Sequence, residues 1–131
     1  MTRVNVVPVT ELCDQHLLAE HREIKRIPNC LISGKLSYEY DDRPECYVLG
    51  KGHVKFFTNK LRWLYLRYIQ LHEECLRRNF NVEWMWPDGQ IGPAALDIGA
   101  WNDYKPDAQA LRINRKRIKE RMPVMPRWTN F

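Results

Sequence analysis

Residues 60–78 constrain the fold more than any other part of this chain. Leu61, Leu64, Tyr65, Tyr68, Leu71, His72 and Cys75 recur there at helical spacing and form a wide apolar stripe. Glu73 with Arg77 and Glu74 with Arg78 supply pairs four residues apart on the other side. A stripe this wide must be covered by other elements, so the segment is predicted to be the central packing helix. His72 lies amid the stripe and reads as a core histidine, not a ligand.

Two further helices are predicted around it. The first spans residues 10–26, with Thr10 as N-cap after Pro8 and Pro28 as the stop. Cys13, Leu17 and Ile24 share one side of it. Gln15, Arg22, Glu23 and Arg26 fall within an arc of about 100° on the other. Read plainly, that arc is a solvated face with an ordinary Glu23–Arg26 pair. Read functionally, it presents two arginines and a carboxylate together. The second spans residues 107–122, capped by Asp107 and stopped by Pro123. Leu111, Ile118 and Met122 make a narrow apolar stripe, and Arg112, Arg115, Lys116, Arg117, Lys119 and Arg121 cover much of the rest. Such a helix suits tracking of a phosphate backbone. Trp128, in the tail beyond it, either stacks on a base or closes the core against the first helix. Residues 28–51 and 84–106, rich in Pro, Gly and Asn, read as irregular. The expected fold is all-α, three main helices with long loops and little or no sheet, in one domain over residues 1–131.

The net charge of +5 is unevenly placed: residues 105–131 hold eight basic and two acidic side chains. A concentrated basic segment favours a polyanion partner. Cys13, Cys30, Cys46 and Cys75 form no CxxC pair and meet no histidine at zinc-finger spacing, so no metal site is expected. Buried free thiols in a reducing compartment fit them better. No apolar leader and no run of membrane-spanning length stands in the chain, so the expectation is a soluble, cytoplasmic protein with no membrane partner.

The start Met1-Thr2-Arg3 adds a chemical possibility. The small second residue predicts removal of Met1, which leaves an α-amine on Thr2. Such an amine has an unperturbed pKa of about 7.7–8.0, against about 10.4 for lysine. Roughly a tenth of it is unprotonated at neutral pH, and positive neighbours raise that fraction. Beside arginines and one carboxylate, it suits Schiff-base chemistry on an aldehyde sugar.

Three ordered blocks carry a resemblance. The first is Met1-Thr2-Arg3-Val4-Asn5 with Asp14-Gln15-His16-Leu17 and Ala19-Glu20-His21-Arg22-Glu23. The second is residues 50–61, containing Gly52-His53-Val54-Lys55-Phe56-Phe57. The third is Glu74-Cys75-Leu76-Arg77-Arg78-Asn79-Phe80-Asn81. Together with Pro126-Arg127-Trp128 they resemble the phage-type pyrimidine-dimer DNA glycosylases, the denV type of endonuclease V. The resemblance implies an all-α domain whose N-terminal segment threads between helices. It also implies glycosylase and AP lyase activity on cis-syn cyclobutane pyrimidine dimers, with double-stranded damaged DNA as partner and a monomeric enzyme. The Thr2 amine would attack C1′ of the dimer's 5′ nucleotide, and Glu23 would stabilise the cationic intermediate and move protons. Arg22 and Arg26 would hold phosphates and the lesion, and Arg3 the adjoining backbone. Gln15 and His16 match positions lining the same site. Arg117 and Arg121, with Lys116 beside them, would meet phosphates. No metal or other cofactor is implied. Such an enzyme gains selectivity from the low cost of distorting lesion DNA.

Some residues depart from the pattern. Lys35 and Arg43 are the basic residues available to replace DNA contacts in the loop after Pro28. Trp84-Met85-Trp86-Pro87-Asp88-Gly89 has no assigned counterpart and reads either as a lesion-side wedge or as a core plug. Other damaged bases or abasic sites are alternative substrates, and a non-catalytic DNA-binding protein or an RNA-binding protein are alternative functions. Glu23 argues against pure phosphate binding, because a carboxylate among arginines repels the backbone.

Overall fold

The computed structural model describes residues 2–129. An extended N-terminal segment leads into a 3-10 turn, Val9–Glu11, and then six α-helices follow among the described residues. These are α1 (Asp14–Glu23), α2 (Arg26–Ile32), α3 (His53–Phe57, entered through a 3-10 turn at Gly50–Gly52), α4 (Leu61–Arg77), α5 (Gly92–Asp97) and α6 (Ala108–Glu120). No strand occurs among the described residues, so the all-α expectation holds. No helix among them is long and apolar enough to cross a membrane.

The predicted central helix is α4, within a residue at each end. Leu61, Leu64, Tyr68 and Leu71 are fully buried, and α1 packs across them. Its first turn has no side-chain cap; Leu61 and Trp63 instead donate their N–H groups to the carbonyls of Ala100 and Asn102, each at 3.2 Å. Its last turn closes through Asn79 at a φ of 69°, with Asn79 N–H on Leu76 O and Phe80 N–H on Cys75 O, both at 2.9 Å. Asn tolerates that left-handed position better than most residues. The charged end of α4 is not a solvated face. Glu74 takes Arg77 at 2.6 Å and Arg78 at 2.8 Å, and Arg78 reaches Asp14 at the start of α1 at 3.1 Å. Glu74 and Arg78 are both buried, so the pair clamps α1 to α4.

The first predicted helix is corrected at both ends. Thr10 does not cap it but lies in the 3-10 turn; Leu12 and Cys13 are extended, and α1 begins at Asp14. Pro28 does not stop it either. The helix breaks at Ile24 and Lys25, and Pro28 stands in the first turn of α2, where a missing N–H costs no helical hydrogen bond. Asp107 caps α6 as predicted, accepting from Ala110 N–H at 2.8 Å. The helix ends at Glu120, so Met122 leaves the apolar stripe and is 38% exposed. Cys13 and Cys75 are buried free thiols as expected, whereas Cys46 is exposed.

Of the tryptophans of residues 84–89, Trp86 forms a plug while Trp84 is 40% exposed. Trp86 is buried against Tyr65 and Tyr68, and Trp84 packs edge-on against Tyr68 and His72. His72 is half-buried in this aromatic layer and pairs with His21 of α1, Nδ1 to Nε2, at 3.0 Å.

Candidate active site

The segment around Val4–Val7 has no backbone partner strand among the described residues, yet Val4, Asn5, Val6 and Val7 are all buried. Buried N–H and C=O groups need partners, and here side chains from several helices supply them. Val4 N–H donates to His53 Nε2 at 2.9 Å, and Tyr47 donates its hydroxyl to Val4 O at 3.1 Å. Val6 and Val7 both donate to the amide oxygen of Asn114, at 2.7 and 3.1 Å, and Arg67 donates to Val7 O. Asn5 donates to Glu20 at 2.8 Å and accepts from Asn114 at 2.8 Å. Glu20 is held by Arg67 at 2.8 and 3.0 Å. The segment is therefore threaded between α1, α4 and α6 at a fixed register.

That register seats the chain start against α1. Arg3 N–H donates to Glu23 Oε1 at 3.2 Å. Arg3, Asn5, His16, Ala19, Glu20, Glu23 and Ile118 line a cavity of about 130 Å³. A second cavity, about 260 Å³, lies on the Thr2 side and is lined by Arg26, Lys35 and Cys30 over Ile27, Leu36 and Val54. A roomier cavity of about 490 Å³ near Pro8, Trp63 and Leu111 contains neither Thr2 nor Glu23. Burial lowers the pKa of the Arg3 guanidinium, and Arg117 and Arg121 lower it further while Glu23 opposes them. Arg117 and Arg121 thus stand near enough to Arg3, which lines the Glu23 cavity, for their charges to act on it. Arg117 is half-buried, and its Nε has no hydrogen-bond partner among the described residues.

Of the residues singled out from sequence, the fold brings Arg3, His16 and Glu23 to one of these cavities and Thr2, Arg26 and Lys35 to the other, with the charges of Arg117 and Arg121 acting on Arg3. Arg22 and Arg26 are exposed on α1 and at the start of α2. Gln15 and His16 are engaged by the C-terminal tail. Gln15 donates to Met125 O and accepts from Arg127 N–H, both at 2.9 Å, and His16 Nε2 lies 3.1 Å from Arg121 O. The carbonyl can only accept, so Nε2 donates, and Nδ1 is buried with no partner among the described residues. Lys116 is exposed about 100° round α6 from Arg117 and is not brought to the same cluster. Trp128 is 48% exposed, which rules out its closing the core. Arg43 is turned inward onto Tyr38 O, Lys55 O and Thr58, whereas Lys35 stays exposed at the rim beside Thr2. Met1, whose removal the sequence predicts, lies outside the described residues.

Sequence reasoning missed Asn5, Glu20, Tyr47, His53, Arg67 and Asn114. One signal existed: Asn114 sits between Leu111 and Ile118 on the inner side of α6, a polar residue where the periodicity calls for an apolar one. The pyrimidine dimer DNA glycosylase family model matches residues 1–88, which span the threaded segment, α1 to α4 and the tryptophan plug. The Glu23 cavity, the start of the chain and the buried layer that fixes both lie within that match, apart from the contributions of α6. The chain belongs to the pyrimidine dimer DNA glycosylase family, and is a DNA-repair enzyme acting on DNA.

Proposed function

We propose that the protein is a bifunctional glycosylase and AP lyase, working as a monomer on double-stranded DNA that holds a cyclobutane pyrimidine dimer. With Met1 removed, the Thr2 α-amine attacks C1′ of the dimer's 5′ nucleotide. The glycosidic bond breaks toward the base, the sugar ring opens, and the nitrogen is left as an imine. Loss of a C2′ proton then expels the 3′ phosphate and nicks the strand. Hydrolysis of the imine returns the free amine. No metal or other cofactor enters this sequence.

The observation that carries the reading is the Arg3 N–H to Glu23 Oε1 hydrogen bond at 3.2 Å. It ties the carboxylate to the residue that follows Thr2, beside a cavity open to a small reacting group. In that place Glu23 can stabilise a cationic sugar and carry protons. Arg26, Lys35 and Arg3 favour the unprotonated amine. Arg22 and Arg26 hold phosphates next to the lesion, Arg3 the adjoining backbone, and Arg117, Arg121 and Lys116 the flanking phosphates. Gln15 and His16 hold the tail against α1, from which Trp128 offers a face for stacking.

The test uses two substrates, a dimer-bearing duplex and a duplex with a single abasic site. The proposal predicts nicking of both by β-elimination, leaving an unsaturated aldehyde at the 3′ end. Base release from the dimer without any nicking of the abasic duplex contradicts the lyase half.

A further inference from the structure

The threaded segment places Thr2, and its nearest fixed point is Val4. Both polar groups of Val4 are held, the N–H by His53 and the carbonyl by Tyr47. His53 opens α3 and is 5% exposed. Its Nδ1 lies 2.8 Å from Val48 O. That carbonyl can only accept, so Nδ1 carries the proton and Nε2 is the bare acceptor that Val4 N–H requires. The ring is held in this pose by Tyr47 and Phe57, whose rings meet it edge-on with centroids 5.5 Å away in each case. The preceding turn is equally tight: a Cβ on Gly52 would strike the ring of Pro44. The His53 imidazole therefore sits in a socket of fixed shape and in one tautomer.

We infer that His53 is the positioning residue for the Thr2 amine: as a neutral imidazole it sets how far the N-terminal segment reaches toward Glu23, and a second proton on its ring releases that segment. This rests on the role proposed above for Thr2. His53 touches no substrate; it acts through Val4. A protonated ring would set Nε2–H against Val4 N–H, two donors facing each other, and the hydrogen bond would be lost. Burial holds the ring's pKa below the ordinary histidine value, the Arg3 charge acts in the same direction, and the Val48 hydrogen bond and the Glu20 charge oppose them. Tyr47, edge-on to the ring, is neutral, its own pKa driven upward chiefly by burial. The imidazole is thus kept neutral near neutral pH and gives way only on acidification. Displacing a reacting group by about 1 Å can cost about a hundredfold in rate, so a modest slip of Val4 is enough to be measured.

The experiment compares full-length wild type, His53→Ala and His53→Gln by borohydride trapping on an abasic-site duplex under single-turnover conditions. Duplex affinity and circular dichroism are recorded alongside. His53→Ala is expected to trap at least about tenfold more slowly than wild type, with affinity changed less than about twofold. Glutamine offers an oxygen to Val4 and an N–H to Val48 but does not titrate, so His53→Gln should recover most of the rate. Below the pKa of the amine, log rate should fall with a slope near one in His53→Gln, and steepen toward two in wild type as the ring takes its own proton. A wild-type adduct at Thr2 with an unchanged rate in folded His53→Ala overturns the positioning role alone. Equal slopes in wild type and His53→Gln overturn the proton-linked release, and this comparison decides if His53→Ala does not fold. Absence of a wild-type adduct at Thr2 overturns the role of Thr2 and this inference with it.

Discussion

Glu20 and Glu23 stand one turn apart on α1 and meet different environments. Glu20 is 2% exposed and its two oxygens are taken by Arg67 and Asn5. Glu23 is half-buried, accepts the N–H of Arg3, and lines the cavity at the chain start. The first is a structural carboxylate and the second is the one suited to chemistry. Glu23→Gln should therefore lower strand cleavage by at least about a hundredfold, within the usual worth of acid–base groups, while duplex affinity is retained; full nicking activity in this variant would remove Glu23 from the mechanism. Glu20→Ala should act on folding instead. It leaves Arg67 as a buried, uncompensated charge, and urea denaturation should register a loss of about 3–5 kcal/mol. From sequence, Glu23 could be placed on the outer arc of a helix, because helical geometry fixes that from spacing alone. Glu20 could not be told from it, since its partners lie 15 and 47 residues away along the chain.

At the scale of elements, α6 has two jobs on two faces. Asn114, fully buried, pins Val6, Val7 and Asn5. Asn114→Ala strands two backbone N–H groups and one amide oxygen, and should cost about 2–4 kcal/mol, read as a lower denaturation midpoint. Arg117 and Arg121 bring their charges to bear on Arg3. Alanine at either should weaken duplex binding about equally for all sequences and reduce the slope of log affinity against log salt by about one; an unchanged slope would show that the residue meets no phosphate. How legible each element was follows from its physics. The α4 segment was readable because its stripe is wide and its ends abrupt, and α6 because Asp107 and Pro123 bracket it. The break between α1 and α2 was hidden because the residues around it remain good helix formers and Pro28 is compatible with a first turn. The five-residue α3 is too short to show a period.

For the whole molecule, the threaded segment governs assembly, and buried histidines govern acid sensitivity. The segment's partners come from positions up to 109 residues distant, so no local pattern could announce the threading. The two buried histidines, His21 and His53, have pKa values below the ordinary 6.5. For His21, burial, His72 and Lys25 push it down to about 4; for His53, burial is the main cause. Each takes up its proton at higher pH when unfolded than when folded. Stability is then full above about pH 6.5 and is lost as pH falls toward 4, by roughly 1.4 kcal/mol per pH unit for each extra proton bound on unfolding. Urea midpoints measured from pH 7 down to pH 4 should show this decline, and His21→Phe should reduce its slope by about one proton. At the other end of the segment stands the freed amine of Thr2, whose role as nucleophile borohydride trapping tests most directly. Purified protein of known intact mass is reduced in the presence of a dimer-bearing duplex, and the cross-linked peptide is mapped by mass spectrometry. The expected result is a protein lacking Met1 and a single adduct on the nitrogen of Thr2. An adduct on a lysine, or efficient nicking by a protein that retains Met1, would contradict it.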